Sequence, residues 1–124
     1  MSPRYRYARA PRVRRVAGQP NKGEARYGEH LEIQKRAGHI VDYWFEGMTL
    51  KLANDTRFTA DYLVINADLE VELHEVKPAS KGKYFAREDA RLKLKICASV
   101  FPFRVFVCWP TKDHLHWNRE EVAA

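Results

Sequence analysis

The feature that most constrains this 124-residue chain is a pair of neighbouring segments whose apolar residues alternate and whose ends turn charged. In residues 57–65 a period of two places Asp61, Leu63 and Ile65 on one face. In residues 69–77 the same period places Leu69, Val71, Leu73, Glu75 and Lys77 on one face. Residues 66–70 between them are polar and turn-like, so a hairpin centred on Asp68 is expected to pair Ile65 with Val71, Leu63 with Leu73 and Asp61 with Glu75. Two carboxylates facing each other across a hairpin repel, and a proton or a cation between them removes the conflict. Mg²⁺ or Mn²⁺ suits such a pair, because a hard cation takes one or two carboxylates and fills its other positions with water and phosphate. Lys77 falls on the same side as Glu75. There an ammonium can stabilise phosphate charge or orient an attacking water. Val76 turns its side chain away, but its carbonyl is a further candidate ligand.

The flanking sequence supplies the rest of a single α/β layout with a mixed sheet. A first helix is expected from Asn21 as N-cap to Ala37, stopped by Gly38, with Glu24, Tyr27, Gly28 and Leu31 on its inward face. Glu24 also suits the helix N-terminus through the dipole alone. Residues 40–53, broken at Gly47, read as one bent strand or two short ones. Pro78 ends the 69–77 strand, and residues 79–83 form a loop. A second helix is expected over residues 84–99, with Phe85, Leu92 and Ile96 inward and Arg87, Arg91 and Lys95 on another face. Residues 103–109 read as a last buried strand, and 111–124 as a polar tail or short helix. The expected division is thus a basic, flexible arm (1–20), one domain (21–110) and a C-terminal tail (111–124). With 45% hydrophobic residues the chain can bury one core, not two.

The charge of +6 is localised. Arg4, Arg6, Arg9, Arg12, Arg14 and Arg15 lie in the first twenty residues with no acid. The remaining sequence carries sixteen basic and sixteen acidic residues. Arginines interleaved with Tyr5, Tyr7 and prolines can neutralise phosphates and stack on bases. No run is long and apolar enough for a membrane span, and the arginine-rich start lacks a secretory signal's apolar stretch, so no membrane partner and an intracellular setting are expected. Cys97 and Cys108 are expected to be buried thiols. His39 and His74 read as structural, and His114 and His116 lack a third ligand at a recognisable spacing. There is no Gly-x-Ser-x-Gly context and no glycine-rich phosphate loop, which sets aside serine hydrolases and nucleoside triphosphatases.

Asp61 followed, after thirteen residues, by Glu75-Val76-Lys77 resembles the PD-(D/E)XK nuclease superfamily. Asn21-Lys22-x-Glu24-x-x-Tyr27, Asp61-Tyr62 and Glu75-Val76-Lys77 are most similar to small phage proteins related to endonuclease and Holliday-junction resolvase enzymes. The resemblance covers about residues 21–109. It implies a restriction-endonuclease-like core of helix, antiparallel three-stranded meander, helix and strand. It also implies a metal held by Asp61, Glu75 and the Val76 carbonyl, with Glu24 assisting, and Lys77 acting beside the attacking water. The superfamily motif has proline where this chain has Ala60, a departure that bears on strand entry because proline has no ligating side chain.

The function expected from the combination is Mg²⁺-dependent hydrolysis of DNA phosphodiester bonds, on branched or structured DNA. The resemblance adds a homodimer and a phage-encoded enzyme acting in the host cell. The expected nucleic-acid contacts are the arm arginines, Lys22, Arg91, Lys93 and Lys95. Two alternatives stay open. One is a nicking nuclease or RNase of the same fold, and the other a noncatalytic nucleic-acid-binding protein that uses the arginine arm.

Overall fold

The structure, a computed structural model, describes residues 18–80, 83–84 and 88–123. The arm arginines Arg4 to Arg15, together with Phe85 and Arg87, lie outside the described residues. Helix α1 (Lys22–Arg36) starts where the sequence says it should. The Asn21 side chain accepts from the Glu24 N–H, and the Glu24 carboxylate accepts from the Asn21 N–H, a reciprocal box that satisfies two helix-end donors. Gly38, at φ 83°, ends it by adopting the left-handed conformation that a glycine reaches at no steric cost.

Strands β1 (Ile40–Phe45) and β2 (Thr49–Ala53) are the two short strands on either side of Gly47, and β3 (Thr56–Thr59) pairs with β2 as a separate ribbon. β4 (Tyr62–Asn66) and β5 (Val71–Val76) form the expected hairpin, with Ile65 opposite Val71 and Leu63 opposite Leu73. The Asn66 side chain builds the turn by accepting from the N–H groups of Asp68 and Glu70. After two short paired segments, β6 (Ala79–Ser80) and β7 (Lys83–Tyr84), comes helix α2 (Glu88–Val100). It carries the chain across to β8 (Arg104–Pro110), which runs parallel to β5. β9 (Trp117–Glu121) returns antiparallel to β8, and the sheet order is β1-β4-β5-β8-β9. The result is a mixed α/β sheet between two helices, in the expected order of helix, three-stranded meander, helix and strand.

Alternation along the strands divides the core. Leu63, Leu73, Val105 and Val107 pack with Leu94 and Cys97 of α2 and with Leu50 and Phe58 of the ribbon. Tyr62, Val64, Phe106 and Cys108 face the other way, onto Tyr27 and Leu31 of α1. Both cysteines are buried free thiols, as expected.

Four expectations are corrected. Residues 57–65 are not one strand: the chain breaks at Ala60 and Asp61, because the Asp61 N–H donates to the Glu75 side chain and its carbonyl accepts from Glu46. Leu69 is in the turn, at φ 66° and exposed, so it does not extend the apolar face of β5. α2 begins at Glu88, and its inward side is Leu94 and Cys97 with Ala98. Leu92 is 58% exposed and Ile96 only half-buried. Leu94 and Cys97 are the α2 residues that join Leu63, Leu73, Val105 and Val107 in the core on this side of the sheet. The expected polar tail or helix contains a strand instead: β9, residues 117–121, covers the edge that β8 would otherwise expose.

Candidate active site

The hairpin register carries Asp61 and Glu75 to the same end of the sheet, one residue past the last paired positions, Tyr62 and His74. Beyond the ladder their side chains replace main-chain pairing. Glu75 Oε1 accepts from the Asp61 N–H at 3.1 Å, and Asp61 Oδ2 accepts from the Val76 N–H at 2.7 Å. Each carboxylate is therefore held by the other strand's backbone. Lys77 follows on the same side, its Nζ 3.3 Å from Glu75 Oε2, and its own N–H is fixed by the Cys108 carbonyl. Asp61 is 8% exposed, and the side chains of Glu75 and Lys77 are 14% and 17% exposed.

The third acid arrives from the opposite layer. Glu24 sits in the first turn of α1, buried, and besides capping the helix its carboxyl hydrogen-bonds that of Asp61. The capping role and the site role coexist in one side chain. Tyr62, next to Asp61, donates its hydroxyl to the Glu24 carbonyl at 2.8 Å and so ties α1 to the strand that carries the acid. Gly28, one turn along α1, lies against the same Tyr62 hydroxyl, and a Cβ there would collide with it.

The electrostatics follow from crowding. Burial, then the Glu75 charge, push the Asp61 carboxyl up to about 9. The Val76 N–H opposes this and the Glu24 charge adds to it. Burial also raises Glu75, while the Lys77 ammonium and the Asp61 N–H pull it back. Without a cation, then, burial and mutual repulsion favour keeping a proton within the Asp61 and Glu75 pair. A divalent ion fits this donor set, because hard oxygens are what Mg²⁺ takes and its charge removes the conflict that keeps a proton in the pair. Among the described residues no three His, Cys, Asp or Glu side chains form a ready-made metal cage. The chain offers a carboxylate pair, with Glu24 behind it. The Val76 group that touches the site is its N–H.

Glu24, Asp61, Glu75, Val76 and Lys77 are thus brought together, and the nucleic-acid candidates are spread around them. Lys22, Arg91 and Lys95 are exposed, whereas Lys93 is half-buried and donates to the Arg57 carbonyl. His114 contacts Arg26 and His39 contacts Gln34, both away from the acids.

Sequence reasoning passed over a second polar cluster. Glu72 and His74, on the α1 side of β5, are 4% and 3% exposed. Burial would raise Glu72, but hydrogen bonds from His74 and Asn66 hold it at about 2. An ionised Glu72 accepts from His74 Nε2–H at 2.8 Å. The other ring nitrogen, Nδ1, then accepts from the Tyr27 hydroxyl, which in turn accepts from the Cys108 thiol. Burial lowers His74, so the ring is neutral. The Glu72/His74 spacing was a signal for a shared face, but only α1 makes that face an interior.

No protein-family model and no curated protein matches the chain. A solved structure described as "Crystal structure of SSO0001" is similar over 80% of this chain and 48% of its own length, at 15% identity and a TM-score of 0.47. The chain spans about half the length of that protein, and a likeness of this degree fixes neither fold nor activity.

Proposed function

We propose that the chain is a metal-dependent endonuclease that hydrolyses DNA phosphodiester bonds, with branched DNA as its preferred substrate. The observation that carries the reading is the buried carboxylate pair Asp61 and Glu75, set side by side at the sheet end with an ammonium on one of them. A protein core gains nothing from two crowded acids, and a site for a cation and a phosphate does. The sequence resemblance to PD-(D/E)XK nucleases supports the same assignment residue by residue.

Bound Mg²⁺ or Mn²⁺ supplies Lewis acidity at a phosphoryl oxygen and makes water a better nucleophile. The chain's own residues do the positioning. Asp61 and Glu75 would hold the ion, the Asp61 carboxylate being oriented by the Val76 N–H, and the Val76 carbonyl would be a further candidate oxygen. Glu24 closes the α1 side. Lys77 places its charge where the attacking water and the developing phosphate charge meet, and it gains strength from the low local dielectric. The preference for branched DNA and a homodimer that cuts paired strands come from the resolvase-like resemblance.

The test is cleavage of a labelled four-way DNA junction beside linear duplex and single strands, in Mg²⁺, Mn²⁺ and chelator. Metal-dependent cutting of the junction is expected, with losses of about 10²–10³-fold or more in Lys77→Ala and Asp61→Asn. Equal cutting of linear DNA would keep the chemistry and remove the branched preference. Binding without cutting in any metal would overturn the nuclease reading in favour of a noncatalytic binder.

A further inference from the structure

We propose that the β2–β3 ribbon grips the phosphate backbone of the DNA strand that leaves the cleavage site, through Lys51 and Arg57 with the hydroxyls of Thr49 and Thr59 beside them. This rests on Asp61 and Glu75 being that site. The ribbon is an excursion between β1 and β4. It leaves the sheet after Phe45 and re-enters at Asp61, so both of its feet stand at the acids, where the Glu46 N–H donates to the Asp61 carbonyl at 2.7 Å.

The two faces of the ribbon differ. Leu50 and Phe58 are buried against the α2-side core. On the opposite face Thr49, Lys51 and Arg57 are exposed, and Lys51 stands directly across from Arg57 in the register. Like charges at directly opposed positions destabilise a strand pair. Three exposed cations elsewhere meet acidic partners, Lys35 with Asp42, Arg36 with Glu32 and Arg104 with Glu121, and none of these pairings sets two cations directly opposite each other on a strand pair. Among the described residues Lys51 and Arg57 form no ion pair. The ribbon's one acid, Asp55, sits at its tip at φ 62°. An anion from outside the chain supplies the missing charge.

The chemistry of the face identifies that anion. An arginine fork and a lysine point charge both recognise phosphate oxygens, and hydroxyls add neutral donors. The Thr49 and Thr59 hydroxyls are 2.6 Å apart, and their pair precedes the cation pair by one step of the same face, about 7 Å along the strands. That step is comparable with the distance between successive phosphates of one nucleic-acid strand. Arg57 is four residues from Asp61, a reach of at most about 14 Å, so the phosphates held lie within a few nucleotides of the one cut. Lys93 of α2, through its bond to the Arg57 carbonyl at 3.4 Å, braces the ribbon from the protein side. Contacts to phosphate carry no sequence information, so a grip of this kind is sequence-independent.

The experiment is binding of the full chain to labelled junction and duplex DNA in chelator across a salt series, with cleavage in Mg²⁺ measured in parallel. For the double variant Lys51→Ala with Arg57→Ala, the slope of log K against log salt should shrink by roughly two contacts' worth, with affinity down about tenfold or more. Arg57→Lys should keep the slope. Lys51→Glu creates an opposite-charge pair, so it should weaken DNA binding while holding or raising the melting temperature, a combination that misfolding does not produce. An unchanged slope in the double variant, with metal-dependent cleavage intact, overturns the ribbon and leaves the nuclease. A reduced slope in a chain that cuts nothing keeps the ribbon as a phosphate-binding element and removes the nuclease. If the full chain binds no DNA, the ribbon proposal fails outright.

Discussion

Strand β5 carries two buried ionic clusters, and they differ in whether the chain itself resolves them. On the α1 side, Glu72 and His74 are closed into a chain of donors and acceptors with Asn66, Tyr27 and Cys108, so charge and hydrogen bonds are satisfied within the fold. At the strand end, Glu75 meets Asp61 and, through it, Glu24, and among the described residues the Lys77 ammonium bonds Glu75. A satisfied buried network specifies structure, because breaking it leaves an orphaned polar group. An unresolved one has a cost that persists until something binds, and that marks a place for chemistry. The two clusters are only a few residues apart on one strand, so neither burial nor composition distinguishes them.

This contrast can be broken most severely from the satisfied side. His74→Ala removes the middle of the chain, leaving the Tyr27 hydroxyl without its acceptor and the buried Glu72 carboxylate with only Asn66 and the arginine side chains nearby. A loss of roughly 3 kcal/mol is expected in urea denaturation. A loss under about 1 kcal/mol would mean that the network is not structural.

The next effect is a pH dependence of opposite sign in the two clusters. Asp61 has its carboxyl raised to about 9, so its contribution is fully favourable below the usual carboxylate range and is lost as pH rises through about 9. His74 is lowered, and Glu72 is held at about 2. Their contributions are present at higher pH and are lost as pH falls, for the imidazole below its usual value near 6.5 and for the carboxylate towards 2. Subtracting the melting profile of Asp61→Asn from that of the wild type isolates the site. In chelator the variant should gain several kcal/mol, up to about 5, relative to wild type between pH 5 and 9. Saturating Mg²⁺ or Mn²⁺ should flatten the difference by stabilising the wild type alone. Parallel profiles in chelator would show that the acids are not in conflict.

The smallest expected effect tests how the two layers are joined. Gly28→Ala gains helix propensity but forces the Tyr62 hydroxyl away from the Glu24 carbonyl. A net loss of about 1 kcal/mol is expected by thermal denaturation. Cleavage should fall by more than this stability loss accounts for, because Glu24 shifts with α1. A stabilised and fully active variant would show that the helix has slack.

Much of the site was legible in the sequence, and the reason is local geometry. The period of two in residues 57–65 and 69–77 fixes which side chains share a face, and the Asn66 turn fixes the register. Those two facts placed Asp61 opposite Glu75, and Lys77 on the same side, before any tertiary contact was known. The N-cap at Asn21 likewise fixed the helical phase, which put Glu24 on the face of Tyr27 and Leu31.

What failed depended on partners distant in sequence. Leu92 and Ile96 and the pair Leu94 and Cys97 are equally acceptable helical stripes, and the seating of α2 on the sheet buries the second. Residues 117–121 have no strong strand pattern, yet β8 offers them an open edge, and the backbone pairing gained there decides their conformation. The break at Asp61 is of the same kind, since it comes from the side chain of Glu75 on the next strand.

The sequence by itself determined the periodic elements, their phase and the residue types that meet at the hairpin's end, because these follow from dihedral geometry and turn chemistry within a few residues. Only the tertiary structure decided that β2 and β3 leave the sheet with Lys51 and Arg57 outward, that Glu72 and His74 are interior, and that Glu24 reaches Asp61 from another layer. Burial and charge pairing are set by which surfaces come together, and one segment's pattern does not encode its distant neighbours.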